Sequence, residues 1–215
     1  MLPQYHTLDQ LINMIDDTQR PAILALTADI QDNAIVMPGS TSNHQAWVGG
    51  YLDHVVEVMN LGLALYGTFF ATGRLEWLEP NEQFCLSDVL LVMYLHDLEK
   101  AFRIELDTDG LPKIDHEGKY VIRANMKSKS EREAFKTDLI TRSGIVLTDQ
   151  QAHALHFVEG IRDADYSPSS RTMYPLDTLC HMCDLASARI FYDFPKSGGD
   201  TWSPIGHHYE KFVVQ

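Results

Sequence analysis

The chain has 215 residues, a formal net charge of −13, 45% hydrophobic residues and 22% charged ones. That balance suits a globular protein with a substantial core and excludes wholesale disorder. So acidic a chain is a poor default partner for long nucleic acid, which is held largely by lysine and arginine at phosphates, whereas a small anionic ligand held by a few local cations remains compatible.

The opening residues MLPQYHTLDQ lack the basic-then-apolar layout of a secretory signal, and no apolar run approaches the roughly 20 residues of a bilayer span. Three cysteines, Cys85, Cys180 and Cys183, cannot all pair internally. A cytoplasmic protein with reduced thiols and no membrane contact is the expectation. Thr7-Leu-Asp-Gln10 has the spacing of a capping box, with Leu8, Leu11, Ile12 and Ile15 forming a helical stripe behind it. Pro21 suits the first turn of a second helix, continued by AILALTADIQ. MPGSTSNHQAW reads as a loop. After Gly49-Gly50 a long helix is predicted from about Tyr51 to Thr68, burying Leu52, Val55, Val56, Met59 and Leu63. Ser87 can cap the next helix, which the spacing carries through VLLVMYLHDLEKAF.

The stretch FRIELDTDGLPKIDHEGKYVIRA has two turn signals between short alternating segments and predicts a small β-hairpin or an irregular insertion. Ser128 to Arg142 is helical in pattern and locally basic. Thr148-Asp-Gln-Gln151 again has capping-box spacing and opens a helix through His156. The loop DADYSPSSRTMYP leads to a last helix, LDTLCHMCDLASARIFYD, and an irregular tail. No repeat or linker divides the chain. The expectation is one all-α domain over 1–215, with N-terminal helices within 1–40 packed on a core of 43–192 and a tail over 195–215.

His54, the adjacent pair His96-Asp97, and Asp184 each fall on a predicted core helix among apolar neighbours. Polar groups facing a core are costly unless paired or bound to a metal. Imidazoles with carboxylates suit Mn, Fe, Co, Ni or Zn, or Mg with more oxygen ligands. Lys100 follows Asp97 by one turn.

The ordered set His54…His96-Asp97…Asp184 resembles the HD-domain metal-dependent phosphohydrolase superfamily. NHQAWVGGYLDHVVEV resembles the H-x-A-x-x-G-G-x-L-x-H opening of one branch, and LHDLEK resembles the H-D-x-x-K block. ALHFVEG and SPSSRTMYPLDTLCHMCDLASA resemble that branch's closing helices, so the likeness covers about residues 43–190. It implies a helical HD-type bundle in which His54, His96, Asp97 and Asp184 ligate a divalent metal, one ion rather than two. Asp97 and Lys100 would carry the catalysis, Lys100 by stabilising charge on a phosphoryl group. The implied activity is hydrolysis of a phosphoester or phosphoanhydride in a small nucleotide, a nucleoside or deoxynucleoside mono- or triphosphate. The alternatives are a 3'-5' exonuclease on short RNA or DNA ends and a non-catalytic nucleotide-binding module. A homo-oligomer is compatible with either. Glu99 departs from the pattern, where a small residue is usual, and reads as facing solvent or as adjusting the charge of the site. A second ion is placed in doubt by His156-Phe157, where binuclear members carry two adjacent histidines, with His153 a turn earlier.

Candidate substrate contacts are His44, Lys100, Arg103, Lys127, Lys129, His156 and Arg171, with Arg162 a further phosphate candidate. His44 reads equally as a loop histidine, and His156 falls by spacing on a buried helix face. Lys119, Arg123, Lys127, Lys129, Arg132 and Lys136 form a basic stretch that reads as a solvated face or as an anion-steering rim. Cys180-His-Met-Cys183 lacks a second cysteine pair for structural zinc and reads as packed helix thiols. His181 reads as a satisfied core histidine or as a partner for Asp184, and His207-His208 as solvated.

Overall fold

The computed structural model describes residues 4–161 and 165–192. Arg162, His207-His208 and the tail over 195–215 lie outside the described residues. Within them are seven α-helices: α1 (Leu8–Ile12), α2 (Arg20–Ala34), α3 (Gly50–Ala71), α4 (Leu86–Leu95), α5 (Lys129–Arg142), α6 (Asp149–Phe157) and α7 (Pro175–Arg189). The fold is all-α, with no strand among the described residues.

Helix starts follow local chemistry. Thr7, Ser128 and Thr148 each accept from the backbone of the third helical residue, while Gln10, Glu131 and Gln151 reach back to the cap. These reciprocal bonds satisfy amides that a helix leaves orphaned at its first turn. Ser87 does not cap α4. The cap is Cys85, whose N–H donates to Asp88 Oδ2 at 2.7 Å. Ser87 Oγ instead accepts from the Asp16 N–H at 2.8 Å and ties the turn after α1 to α4.

The core forms where α3 packs on α4 and α7, with α6 closing against α4 and α7. Val55, Val58 and Met59 of α3 meet Val89 to Leu95 of α4 and Leu179, Cys180 and Cys183 of α7, all buried. α3 is 22 residues long and contains an 18-residue window with a mean hydropathy of 1.2, enough by length and composition to cross a bilayer. It is longer than the sequence suggested, and its buried His54, Glu57 and Asn60 together with its packed faces account for that composition as a central core helix. Gly62 lets α4 approach it closely, since a Cβ there would lie 2.9 Å from Val89 Cγ1.

Between α4 and α5 the chain forms an irregular insertion, and no hairpin strands are present. Asp107 and Asp115 each accept two backbone amides and fold consecutive tight turns. Three extended pieces then bond pairwise, Glu105 to Val121, Val121 to Lys113 and Lys113 to Glu105, leaving isolated bridges.

Candidate metal centre

The long helix predicted through HDLEKAF breaks at its most interesting letters. α4 ends at Leu95, Asp97 leaves helical geometry at φ −114 and ψ 20, and Leu98–Phe102 continues as a tight 3-10 turn. The break has a geometric consequence. Consecutive side chains on an α-helix diverge by about 100° and do not face each other. Out of the helix, His96 Nε2 and Asp97 Oδ2 come within 3.2 Å.

His54, from the buried side of α3, places its Nε2 3.1 Å from His96 Nε2 and 3.3 Å from Asp97 Oδ2. Asp184, in the C-terminal half of α7, places Oδ1 3.3 Å from His54 Nε2 and 3.7 Å from His96 Nε2. His54, His96 and Asp184 form a group whose ligand atoms all lie within 4.8 Å of one another, and it can hold a metal ion. The side chains of His54, His96 and Asp97 are nearly sealed, whereas that of Asp184 is 20% exposed and marks the open side.

Both rings are turned the same way. His96 Nδ1 donates to the Met93 carbonyl at 2.7 Å, so in the neutral ring Nε2 carries the lone pair. His54 Nδ1 lies 3.1 Å from Ser187 Oγ, whose proton goes to Glu57 Oε2 at 2.6 Å, so the hydroxyl accepts from the imidazole. The two Nε2 atoms and Asp184 Oδ1 therefore face one another, with Asp97 Oδ2 beside both imidazoles, and a positive charge relieves the repulsion of their lone pairs. Burial opposes a proton on His54, yet Asp184 and Asp97 outweigh burial and raise its pKa. Burial likewise pushes the Asp97 carboxyl up, but Lys100 and His96 hold it well below the ordinary range. Asp184 is lowered against its own burial by the bond to His54 and the charge of His96. Two imidazoles with two carboxylates are also a donor set that divalent transition metals accept.

Lys100 is ion-paired with Asp97 Oδ2, and that carboxylate keeps its ammonium charged in spite of burial. Glu99 does not face solvent. It is 7% exposed, its Oε2 has no partner, and burial followed by repulsion from Asp97 pushes its pKa to about 6. The break after α4 turns it inward, where Lys136 and Lys100 partly offset the repulsion. His44 lies beside the cluster with its ring centroid 5.3 Å from that of His54. Its buried Nε2 has no partner, and burial, then His54 and Lys100, lower its pKa to about 4.

The remaining candidates scatter. Arg103 is half-buried with an unpartnered Nε, and it senses the charges of Glu99 and Asp97. Lys129 is paired with Glu159 at 2.6 Å, and Lys127 is exposed at the start of α5. Arg171 grips Glu82 with two contacts of 2.8 and 3.1 Å and covers Tyr174, beyond the N-terminal end of α7. His156 is not on a buried face. Its side chain is 53% exposed, 3.9 Å from Asp165, because α6 turns Leu155 and Phe157 inward instead. His153 Nδ1 donates to Asp177 Oδ2 at 2.7 Å, and His181 Nδ1 donates to the Val158 carbonyl rather than to Asp184. Much of the basic stretch is spent on structure: Arg123 on the Ile104 carbonyl, Arg132 on those of Met126 and Lys127, and Lys136 on that of His96. Cys180 and Cys183 are free buried thiols, Cys183 pushed by burial up to about 12.

Sequence reasoning missed Gln45, Glu57 and Ser187, which lie behind His54 with none of their surface exposed. Spacing carried a signal for two of them, since Glu57 and Ser187 each stand one turn beyond a ligand candidate on the same helix. Burial pushes the Glu57 pKa up to about 8. Comparison of the chain with family models, with curated proteins and with solved structures returned no match.

Proposed function

We propose that the protein is an HD-type metal-dependent phosphohydrolase acting on a small nucleotide, in which His54, His96, Asp97 and Asp184 hold one divalent cation. The observation that carries this reading is the approach of His54 Nε2, His96 Nε2 and Asp184 Oδ1 to within 4.8 Å of one another from three segments, with Asp97 Oδ2 beside both imidazoles and a lysine on that carboxylate. A divalent ion bound there would bring the pKa of a coordinated water toward neutrality and neutralise phosphoryl oxygens. The protein's own groups do the rest. The Nδ1 bonds fix both imidazoles with Nε2 inward, so that no tautomer change accompanies binding. Asp184, on the open side, lies where a substrate enters. Lys100 sits at Asp97 and stabilises negative charge building on the phosphoryl oxygens. His44, neutral at pH 7, has an unpaired ring nitrogen for a substrate oxygen. Arg103 supplies a second cation near the same carboxylates.

The class of substrate rests on the family resemblance together with charge. A molecule with net charge −13 repels a long polyanion, while this local set of cations suits a short one. The test is a panel of nucleoside and deoxynucleoside mono- and triphosphates incubated with Mn, Mg, Co or Ni, read by product identity. Metal-dependent phosphate or pyrophosphate release is expected, falling at least about 100-fold in Asp97→Ala with helical circular dichroism retained. An unchanged rate in that variant would overturn the reading, and binding without turnover across the panel would replace it with a nucleotide-binding module.

A further inference from the structure

Gln45 has φ 47, the one positive value at a non-glycine position among the described residues. Such backbone is costly and persists where its surroundings enforce it. Here two glycines do so. The Gly39 N–H donates to the Gln45 carbonyl at 2.8 Å, and a Cβ on Gly50 would lie 2.0 Å from that same oxygen. A Cβ on Gly39 would meet Gln45 Cβ at 2.9 Å. The loop between α2 and α3 is thus folded so tightly on Gln45 that its side chain is driven inward, behind α3.

What that side chain reaches is a buried polar set. Gln45 Nε2 donates to Glu57 Oε2 and to Ser187 Oγ, each at 3.1 Å. Ser187 donates to Glu57 Oε2 at 2.6 Å and receives His54 Nδ1 at 3.1 Å. All four residues are wholly buried. Both donors to Glu57 converge on Oε2, while Oε1 has no partner. A core position filled with apolar groups would avoid the cost of burying these atoms, so the set calls for a reason beyond stability.

We propose that Gln45, Glu57 and Ser187 are positioning residues: a buried relay that fixes the proton of His54 on Nδ1 and aims its Nε2 at a divalent cation. Gln45 orients Glu57 and the Ser187 lone pairs, Glu57 takes the Ser187 proton, and Ser187 is left only as an acceptor for His54. The strained loop is the price of placing an amide where neither helix provides one. This inference rests on the metal-site reading, and the two are separable by experiment.

The first measurement needs no variant. Nitrogen-15 resonances of the histidines in the metal-free protein, above pH 8 where Glu57 is ionised and His54 is neutral, should show His54 protonated on Nδ1. A proton on Nε2 overturns the relay. The second is titration with Co2+ alone, followed by its visible absorption, in the wild type, His54→Ala, Ser187→Ala and Gln45→Leu. Ser187→Ala and Gln45→Leu should weaken Co2+ binding by roughly 10- to 100-fold and give mixed tautomers at His54, with the bound spectrum recovered at saturating Co2+. If His54→Ala abolishes binding while both relay variants match the wild type within about twofold, the relay is wrong and the metal site stands. If His54→Ala binds Co2+ as the wild type does, the metal-site reading fails instead, and the relay with it.

Discussion

At Glu99 the structure decides between two sequence readings, against a solvent-facing side chain and for one beside the site. In the sequence this residue follows a helical pattern and its side is set by extrapolation; in the structure the helix stops at Leu95 and the 3-10 turn rotates Glu99 into a site 7% exposed. Its pKa of about 6 lies above the ordinary 4.5, chiefly through burial and then through Asp97. The folded state therefore binds more protons than the unfolded one between those values, and stability falls as pH rises through that window. In the metal-free protein, Glu99→Gln should remove that loss, raising stability above pH 6 by roughly 2 kcal/mol at most and changing little at pH 4. Urea unfolding at the two pH values measures it, and an equal effect at both would show that Glu99 is ionised as freely as in the unfolded chain. The ligand candidates were legible because they stand as polar letters in apolar helices. The relay was not, because Gln45 reaches Glu57 and Ser187 through a backbone conformation that one-dimensional spacing does not encode.

At the scale of elements, the capping boxes at Thr7 and Thr148 were the most legible feature, since each acts on an amide three residues away. The end of α4 was hidden because LHDLEKAF keeps helical periodicity while the side chains of His96 and Asp97 meet across a broken turn. The two turns of the insertion were legible from Asp109-Gly110 and Glu117-Gly118, but the cyclic pairing of its three extended pieces depends on tertiary closure. α3 provides a paired test of how glycine is used. Gly67 has open space around it, so Gly67→Ala should stabilise by about 0.5–1 kcal/mol through helix propensity alone. Gly50→Ala drives a Cβ into the Gln45 carbonyl and should destabilise by about 2–4 kcal/mol while displacing the loop. Denaturant melts of both variants check this. Similar effects at the two positions would mean that the close approach of loop and helix is not needed.

For the whole molecule, the core and the site share the same helices. α3, α4 and α7 build the packing and also deliver His54, His96 and Asp184, so binding in the cluster should be felt as global stability. A divalent ion at 100 times its dissociation constant should add about 2.7 kcal/mol, seen as a higher melting temperature that chelation reverses. The acidic surface and the structural use of Arg123, Arg132 and Lys136 leave few cations to serve a long polyanion. The claim on which the account turns is that these side chains hold one divalent cation. Equilibrium dialysis against Mn2+, with bound metal counted per chain, tests it most directly. The account predicts one ion per chain in the wild type and none in His96→Ala at the same free concentration; no bound ion in the wild type, or equal binding in the variant, would contradict it.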